Sequence, residues 1–245
     1  MSGPSASMPI LRTQLHDEVL RRLGSMILRG DMPPGSRINE RSLCDQLQVS
    51  RTPLREAVKV LAADGLVELL PNRGARIAPL SVTEVAENFE VLALLERHAS
   101  EWATKRLSDT AIQELYRLHH AMLEYSRVGD SENQLQMDLR IHRLIVDAAG
   151  NRVLTSIHHG LARKVERARY LASIAPDRVR RSMEEHEAIL EAILGRDPKH
   201  VADTLYTHCL NTREAVVTAV VRYLESCAPT PVFRPSFRLS RSSTR

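Results

Sequence analysis

The fold of the N-terminal part follows from residues 38–77, which read INERSLCDQLQVSRTPLREAVKVLAADGLVELLPNRGARI. Asn39 is suited to cap a short helix over Glu40–Leu47. Pro53 fits the first turn of a second helix because its missing N–H needs no partner there, and Gly65 ends that helix. The segment therefore predicts two helices joined by a brief turn, which is the pattern of a helix-turn-helix.

A hairpin and a preceding helix complete this unit. Leu66–Leu70 and Ala75–Ala78 predict two short strands around a turn at residues 71–74. Leu11–Leu28 predicts an amphipathic helix, since its apolar residues recur on one stripe. Residues 10–79 therefore predict three helices and a hairpin, and we expect residues 1–9, which are small and polar, to be a disordered N-terminus.

The second helix of the helix-turn-helix carries a basic face. Helical spacing predicts that one side of it is buried, with Leu54, Ala57, Val58 and Leu61. The other side carries Arg51, Thr52, Arg55 and Lys59. Guanidinium groups can pair bidentately with guanine edges in the major groove, and hydroxyl and ammonium groups can reach phosphates. The pattern predicts a DNA reader, and a solvated basic face is the alternative.

Three more residues extend this prediction. Arg41, at the start of the preceding helix, can contact the DNA backbone or a base edge. Arg73 and Gly74 form a hairpin tip that suits the minor groove, where glycine permits close approach and the negative potential attracts arginine. Double-stranded DNA is therefore the predicted partner of the N-terminal unit.

Residues 80–226 have a helical period throughout. Breaks near residues 106–108, 129–131, 150–151, 173–177 and 195–198 delimit six helices and predict an antiparallel bundle. The expected fold class is mostly α, with a helix-turn-helix and hairpin followed by an all-α six-helix bundle. Residues 227–245 contain Pro, Ser and Arg, and we expect a basic disordered tail.

Composition excludes several classes of protein. The three cysteines are widely spaced, which argues against a disulfide framework or a cysteine-based zinc finger. No apolar run approaches the roughly 20 residues of a membrane span, and residues 1–8 lack the basic and apolar regions of a signal peptide. We therefore expect a cytoplasmic protein with no membrane partner.

Four ionisable residues lie in the apolar stripes of the bundle. Asp138 and His142 are four residues apart and share a helix face, while His186 and His208 lie in the core stripes of two other helices. Burying these groups unpaired would be costly, whereas one divalent cation satisfies all of them. An Asp oxygen with three imidazole nitrogens suits Zn²⁺, Ni²⁺, Mn²⁺ or Fe²⁺.

Other interpretations of these four residues remain open. They can form a hydrogen-bonded cluster without a metal, or hold a purely structural metal. A metal with open positions can also activate water, although no further inward glutamate stands out as a general base. The remaining histidines, among them His119 and His158, are interpreted as surface or incidental residues.

Residues 38–77 resemble the winged helix-turn-helix of GntR-type bacterial transcription regulators. The resemblance lies in N-E-R-x-L, S-R-T-P-L-R-E-A, L-x-x-x-G-L-V and the P-N-R-G wing. It implies operator binding as a homodimer, with DNA contacts from the matching residues Arg41, Arg51, Thr52, Arg55, Arg73 and Gly74. Base readout is implied mainly for Arg51 and Arg55.

Residues 82–224 resemble the FCD effector domain of the FadR-type branch of these regulators. The resemblance implies a metal held by Asp138, His142, His186 and His208, and an effector that is a small organic acid. Many members carry an arginine in an R-x-x-L-E pattern, but Leu92 stands at that position here. Arg163, Arg167 and Asn211 are therefore the candidate effector-binding residues, and an effector that is less acidic than usual is the alternative.

These observations predict a ligand-responsive transcription regulator that is not an enzyme. The family resemblance favours a repressor, although the sequence itself does not separate repression from activation. The alternative is a metal-dependent enzyme that acts on a small acid and carries an appended domain resembling a DNA-binding domain.

Overall fold

The computed structural model describes residues 11–227, which form nine helices and one two-stranded sheet. The N-terminal unit consists of α1 (Leu11–Leu28), α2 (Glu40–Leu47), α3 (Arg51–Ala63), β1 (Val67–Leu70) and β2 (Gly74–Ile77). The bundle consists of α4 (Val82–Thr104), α5 (Asp109–Arg127), α6 (Ser131–Ala148), α7 (Arg152–Ser173), α8 (Pro176–Leu194) and α9 (Pro198–Cys227). The segments 1–9 and 228–245, for which we predict disorder, lie outside the described residues.

The N-terminal unit has the predicted order of three helices and a hairpin. Oδ1 of Asn39 accepts a hydrogen bond from the backbone N–H of Ser42 at 3.1 Å and caps α2. β1 and β2 are antiparallel, with Val67 opposite Ile77. The core of this unit joins all five elements and includes the fully buried Leu23, Ile27, Leu54 and Ile77.

The six helices predicted for the second unit are present. α4 and α9 form its most extensive helix pair among the described residues, and a large apolar core includes Leu115, Met122, Ile189 and Leu205. α9 extends to Cys227 and is 30 residues long, so the helix includes the first residue that the sequence assigned to the tail. None of the described helices combines the length and hydropathy that a membrane span requires.

The two units meet along α7. Nε of Arg163 lies 2.9 Å from Oδ1 of Asp64, which directly follows α3. The Arg167 guanidinium is buried and donates to the backbone carbonyls of Met32 at 3.4 Å and of Ala78 at 3.2 Å. These contacts connect the bundle to the end of the helix-turn-helix and to the segments that flank it.

The core of the N-terminal unit should depend strongly on α3. Leu54 is completely buried, so Leu54→Ala should lower the free energy of unfolding by about 2–5 kcal/mol through lost burial and the cavity left behind. Val60 lies on the exposed side of the same helix, and Val60→Ala should cost less than about 0.5 kcal/mol. Urea unfolding followed by circular dichroism measures both, and equal effects would contradict this packing.

Candidate functional site

The exposed side of α3 carries the predicted DNA-contacting side chains. Leu54, Ala57, Val58 and Leu61 are buried, whereas Arg51, Thr52, Arg55 and Lys59 are exposed. This division reproduces the two faces expected from helical spacing. It leaves three cationic side chains and one hydroxyl available to a partner.

Two of these cations form weak surface ion pairs. Nε of Arg55 lies 3.0 Å from Oε2 of Glu40 at the start of α2, and Nζ of Lys59 lies 2.8 Å from Oε1 of Glu56. The side chains of Arg55 and Lys59 remain 59% and 63% exposed. Exposed pairs of this kind contribute at most about 1 kcal/mol, so phosphate or base contacts can replace them.

Arg41 and the hairpin tip are also exposed. The tip is closed by a hydrogen bond from the backbone N–H of Arg73 to the carbonyl of Leu70 at 3.0 Å. Asn72 has φ 58 and Gly74 has φ 81, a backbone region in which asparagine and glycine are the favoured residues. The turn therefore presents the Arg73 side chain at the end of the wing.

A buried polar cluster lies in the middle of the bundle. Asp138 and His142 come from α6, His186 from α8 and His208 from α9, and each is at most 4% exposed. One potential ligand atom from each residue lies within 4.8 Å of those of the other three. The structure thus brings together the four residues that the sequence singled out, and we call them the core cluster.

Short contacts link the members of the core cluster. Oδ1 of Asp138 lies 2.8 Å from Nε2 of His186 and 3.8 Å from Nε2 of His142. Nε2 of His208 lies 3.2 Å from Nε2 of His142. A carboxylate oxygen and three ring nitrogens therefore converge on one small volume, and this donor set fits a first-row divalent cation.

Two glutamates hold the outer nitrogens of the cluster histidines. Oε2 of Glu96, on α4, lies 2.5 Å from Nδ1 of His142. Oε2 of Glu185, on α8, lies 2.7 Å from Nδ1 of His208. A carboxylate behind a histidine fixes the orientation and tautomer of the ring, as is common for metal-binding histidines.

The charge states of these groups follow from their surroundings. Burial opposes ionisation of Glu185, but hydrogen bonds from His208 and Asn211 and the charge of Arg178 outweigh it and lower its pKa to about 2. Burial lowers the pKa of His208 to about 3, so its ring is neutral. With Nδ1 donating to Glu185, Nε2 of His208 presents a lone pair to the centre of the cluster.

Two arrangements satisfy the facing nitrogens of His142 and His208. Burial alone would lower the pKa of His142, but the Glu96 carboxylate outweighs it and the pKa is raised. A proton on Nε2 of His142 could then be donated to His208. A divalent cation bound by both nitrogens is the other arrangement, and it would also use Asp138 and His186.

Glu96 corrects the expectation that no further glutamate points inward. It is 3% exposed, and besides His142 it contacts Nε2 of His158 at 2.9 Å and Sγ of Cys209 at 3.1 Å. Burial opposes its ionisation, but the charges and hydrogen bonds of His142 and His158 hold its pKa well below the usual range. Its position in the apolar stripe of α4 was a signal for burial that the sequence analysis did not use.

Two histidines interpreted as incidental are also buried. His158 is 1% exposed and bound to Glu96, and His119 is 9% exposed with its ring centroid 6.4 Å from that of His186. The interpretation was wrong because adjacent histidines point to different sides of a helix. One member of each pair therefore still lies on the inward side.

A buried arginine that the sequence analysis missed lies beside the cluster. Arg169, on α7, is 7% exposed and forms an ion pair with Oδ2 of Asp138. Burial opposes ionisation of Asp138, but the charge of Arg169 and the bond to His186 keep its pKa well below the usual range. Asp138 is therefore an ionised carboxylate whose other oxygen faces the histidines.

The structure separates the three residues predicted to bind an effector. Arg163 and Arg167 contact the seam between the two units, and they lie on α7 between His158 and Arg169. Nε of Arg163 faces Asp64, the Arg167 guanidinium donates to two backbone carbonyls, and the assignment of both residues to the effector site stays a prediction. Asn211 remains near the cluster, since its Nδ2 donates to Oε1 of Glu185 at 2.9 Å.

Comparison with known proteins agrees with this architecture. An uncharacterized HTH-type transcriptional regulator of Bacillus subtilis is 26% identical over 200 residues, which cover 80% of this chain and 88% of the relative. The HTH-type transcriptional repressor NanR of Cronobacter sakazakii is 28% identical over 226 residues, which cover 82% and 84%. A transcriptional regulator GntR from Rhodococcus sp. RHA1 shares the fold, with a TM-score of 0.68 at 18% identity over 84% of this chain and 98% of that one.

Two family matches cover most of the described chain. Residues 15–77 match the gntR family of bacterial regulatory proteins, and residues 87–211 match the FCD domain. The first match contains α3 and the wing, and the second contains the core cluster. The chain therefore belongs to the GntR family of bacterial transcriptional regulators, among the members whose second domain is an FCD domain.

Proposed function

We propose that this regulator is a repressor whose affinity for operator DNA depends on a divalent metal and a small organic acid bound in the bundle. The core cluster is the observation that carries the proposal, because four buried ligand atoms converge within 4.8 Å of one another. Repression is favoured by the related protein NanR, which is a transcriptional repressor. The enzyme alternative is set aside, since the families that match are those of transcriptional regulators.

DNA binding is assigned to the exposed side of α3, the start of α2 and the wing. Arg51 and Arg55 would read guanine edges, while Arg41, Thr52 and Lys59 would contact phosphates or neighbouring bases. Arg73 and Gly74 would approach the minor groove. The exposure of these side chains supports the assignment, as does their position within the GntR match.

The metal is assigned to Asp138, His142, His186 and His208. Zn²⁺, Ni²⁺, Mn²⁺ and Fe²⁺ all suit this donor set, and a bound cation would leave positions for ligand oxygens. Glu96 and Glu185 would hold two of the rings in place, and Arg169 would hold the carboxylate of Asp138. The chain's own contribution is thus a preformed set of oriented ligands.

Regulation would work by linkage between the ligand and the DNA. An acid that binds one arrangement of the bundle more tightly shifts the equilibrium toward that arrangement. Operator affinity changes only by the difference in the acid's affinity for the two states. A homodimer would place two readers on two half-sites, commonly about one helical turn apart, in the cytoplasm where operator DNA lies.

Base readout by α3 can be tested by substitution. Arg55→Ala should lower specific operator affinity by about 1–3 kcal/mol, because it removes a bidentate contact to guanine. Arg21→Ala is the control, because it removes the same positive charge from the exposed side of α1. A DNA duplex selected from a random pool serves as the operator. Fluorescence anisotropy then measures the affinity of each variant for this duplex. Equal losses in the two variants would contradict readout by α3.

The ligand set can be tested by metal analysis. His186→Ala should lower the metal content of the purified protein because it removes one of the four ligands. His200→Ala, an exposed histidine on α9, should leave the content unchanged. DNA binding without an acid should persist in both variants. Full metal occupancy in His186→Ala, measured by elemental analysis, would remove this residue from the ligand set.

A further inference from the structure

The carboxylate of Glu40 lies against one of the two arginines assigned to base readout. Nε of Arg55 donates to Oε1 of Glu40 at 3.1 Å and to Oε2 at 3.0 Å. Glu40 is the first residue of α2, whereas Arg55 lies one turn after the start of α3. The contact therefore connects the two helices of the helix-turn-helix at their exposed side.

Packing and capping hold the backbone on both sides of this contact. Asn39, which caps α2, directly precedes Glu40. Leu43 of α2 and Leu54 of α3 lie in the same buried core. From these anchored helices the side chain of Glu40, which is 32% exposed, reaches a guanidinium that is 59% exposed. The position of the Glu40 carboxylate is thus set by the fold of the DNA-binding domain.

The contact uses only one N–H group of the Arg55 guanidinium. An arginine has five N–H donors, and among the residues that the structure describes neither Nη atom of Arg55 has a hydrogen-bond partner. The two Nη atoms form the end of the fork, which can pair with O6 and N7 of guanine. Guanine pairing of this kind does not require the contact with Glu40 to break.

Arg51, the other arginine assigned to base readout, is not held in this way. Within residues 11–227, the ion pairs of α3 join Arg55 to Glu40 and Lys59 to Glu56, and Arg51 has none. The two arginines therefore differ in how strongly the free protein restrains them. This difference provides a comparison within the same helix.

We propose that Glu40 is a positioning residue that orients Arg55 for guanine recognition and thereby sets the sequence preference of the DNA-binding domain. When DNA excludes water from α3, an Nε–H group without an acceptor costs free energy, and Glu40 supplies the acceptor. The contact also restrains a long side chain before binding, so less conformational freedom is lost on the DNA. This inference rests on the proposed function, which assigns base readout to Arg55.

The same carboxylate opposes binding to DNA of any sequence. Attraction between basic side chains and phosphates supplies most of the non-specific affinity, and a negative charge beside α3 weakens it. Glu40 therefore lowers general affinity while it raises discrimination between sequences. A purely structural role of Glu40, as an acidic residue in the first turn of α2, would not produce two effects of opposite sign.

The test uses the full chain and the selected duplex, in which each G·C pair is replaced in turn by A·T. Arg51→Ala and Arg55→Ala first identify the guanine that each arginine reads. Glu40→Gln should lower discrimination at the Arg55 guanine by about 3- to 10-fold, because a hydrogen bond to a charged group is weakened. Discrimination at the Arg51 guanine should stay unchanged. Affinity for the mismatched duplexes should rise about two- to fivefold.

Two further variants separate charge from orientation. Glu56→Gln is the matched control, because it removes the same charge from α3 but releases Lys59 instead of Arg55. It should raise affinity for all duplexes alike and leave discrimination unchanged. Glu40→Asp keeps the charge at the start of α2 on a side chain that is one methylene shorter. It should lower discrimination at the Arg55 guanine without the gain in general affinity.

Three results would contradict these expectations. If Arg55→Ala loses discrimination but Glu40→Gln does not, Glu40 has no positioning role and the proposed function is unaffected. If Glu40→Gln still lowers discrimination in a chain that also carries Arg55→Ala, Glu40 acts on the DNA directly and the inference is wrong. If Arg55→Ala changes discrimination at no guanine, the base readout assigned to Arg55 is refuted, and the inference with it.

Discussion

Ionised groups buried in an apolar bundle must be paired, and this constraint shapes the second domain. Asp138, Glu96 and Arg169 are each at most 7% exposed and lie among fully buried aliphatic side chains. Leaving any one of them unpaired would cost several kcal/mol. The structure pairs each of them, and the pairs run from α4 through α6 and α7 to α8 and α9. The polar network thus fixes how five helices face one another.

Helix α7 connects the same polar network to the DNA-binding domain. This helix carries His158 and Arg169, which contact Glu96 and Asp138, and between them Arg163 and Arg167, which contact the N-terminal unit. A helix behaves as a rigid element over this length. A ligand that displaced α7 would therefore move contacts in both domains, which is the physical basis that linkage requires.

Helical periodicity, together with the residues that interrupt it, was sufficient to predict the helices and the four inward residues of the core cluster. The same periodicity on α4 and α7 places Glu96, His158 and Arg169 inward, but no further inward glutamate was expected, His158 was interpreted as incidental and Arg169 was not singled out. Periodicity also could not predict that Arg163 and Arg167 contact the N-terminal unit. Both lie on a bundle helix, and only the packing of one domain against the other directs them to the seam. α9 extends to Cys227, since no glycine or proline interrupts it before that residue.

The most direct test of the account is thermal unfolding of the purified chain before and after removal of metal by a chelator. If the core cluster binds a cation in the folded state only, a metal at about 100 times its Kd adds about 2.7 kcal/mol of stability. The account predicts about one metal ion per chain, a lower Tm after chelation and recovery of Tm when the metal is restored. A chain that contains no metal and whose Tm responds neither to the chelator nor to added Zn²⁺, Ni²⁺, Mn²⁺ or Fe²⁺ would contradict it. In that case, a hydrogen bond from Nε2 of His142 to Nε2 of His208 would take the place of the metal.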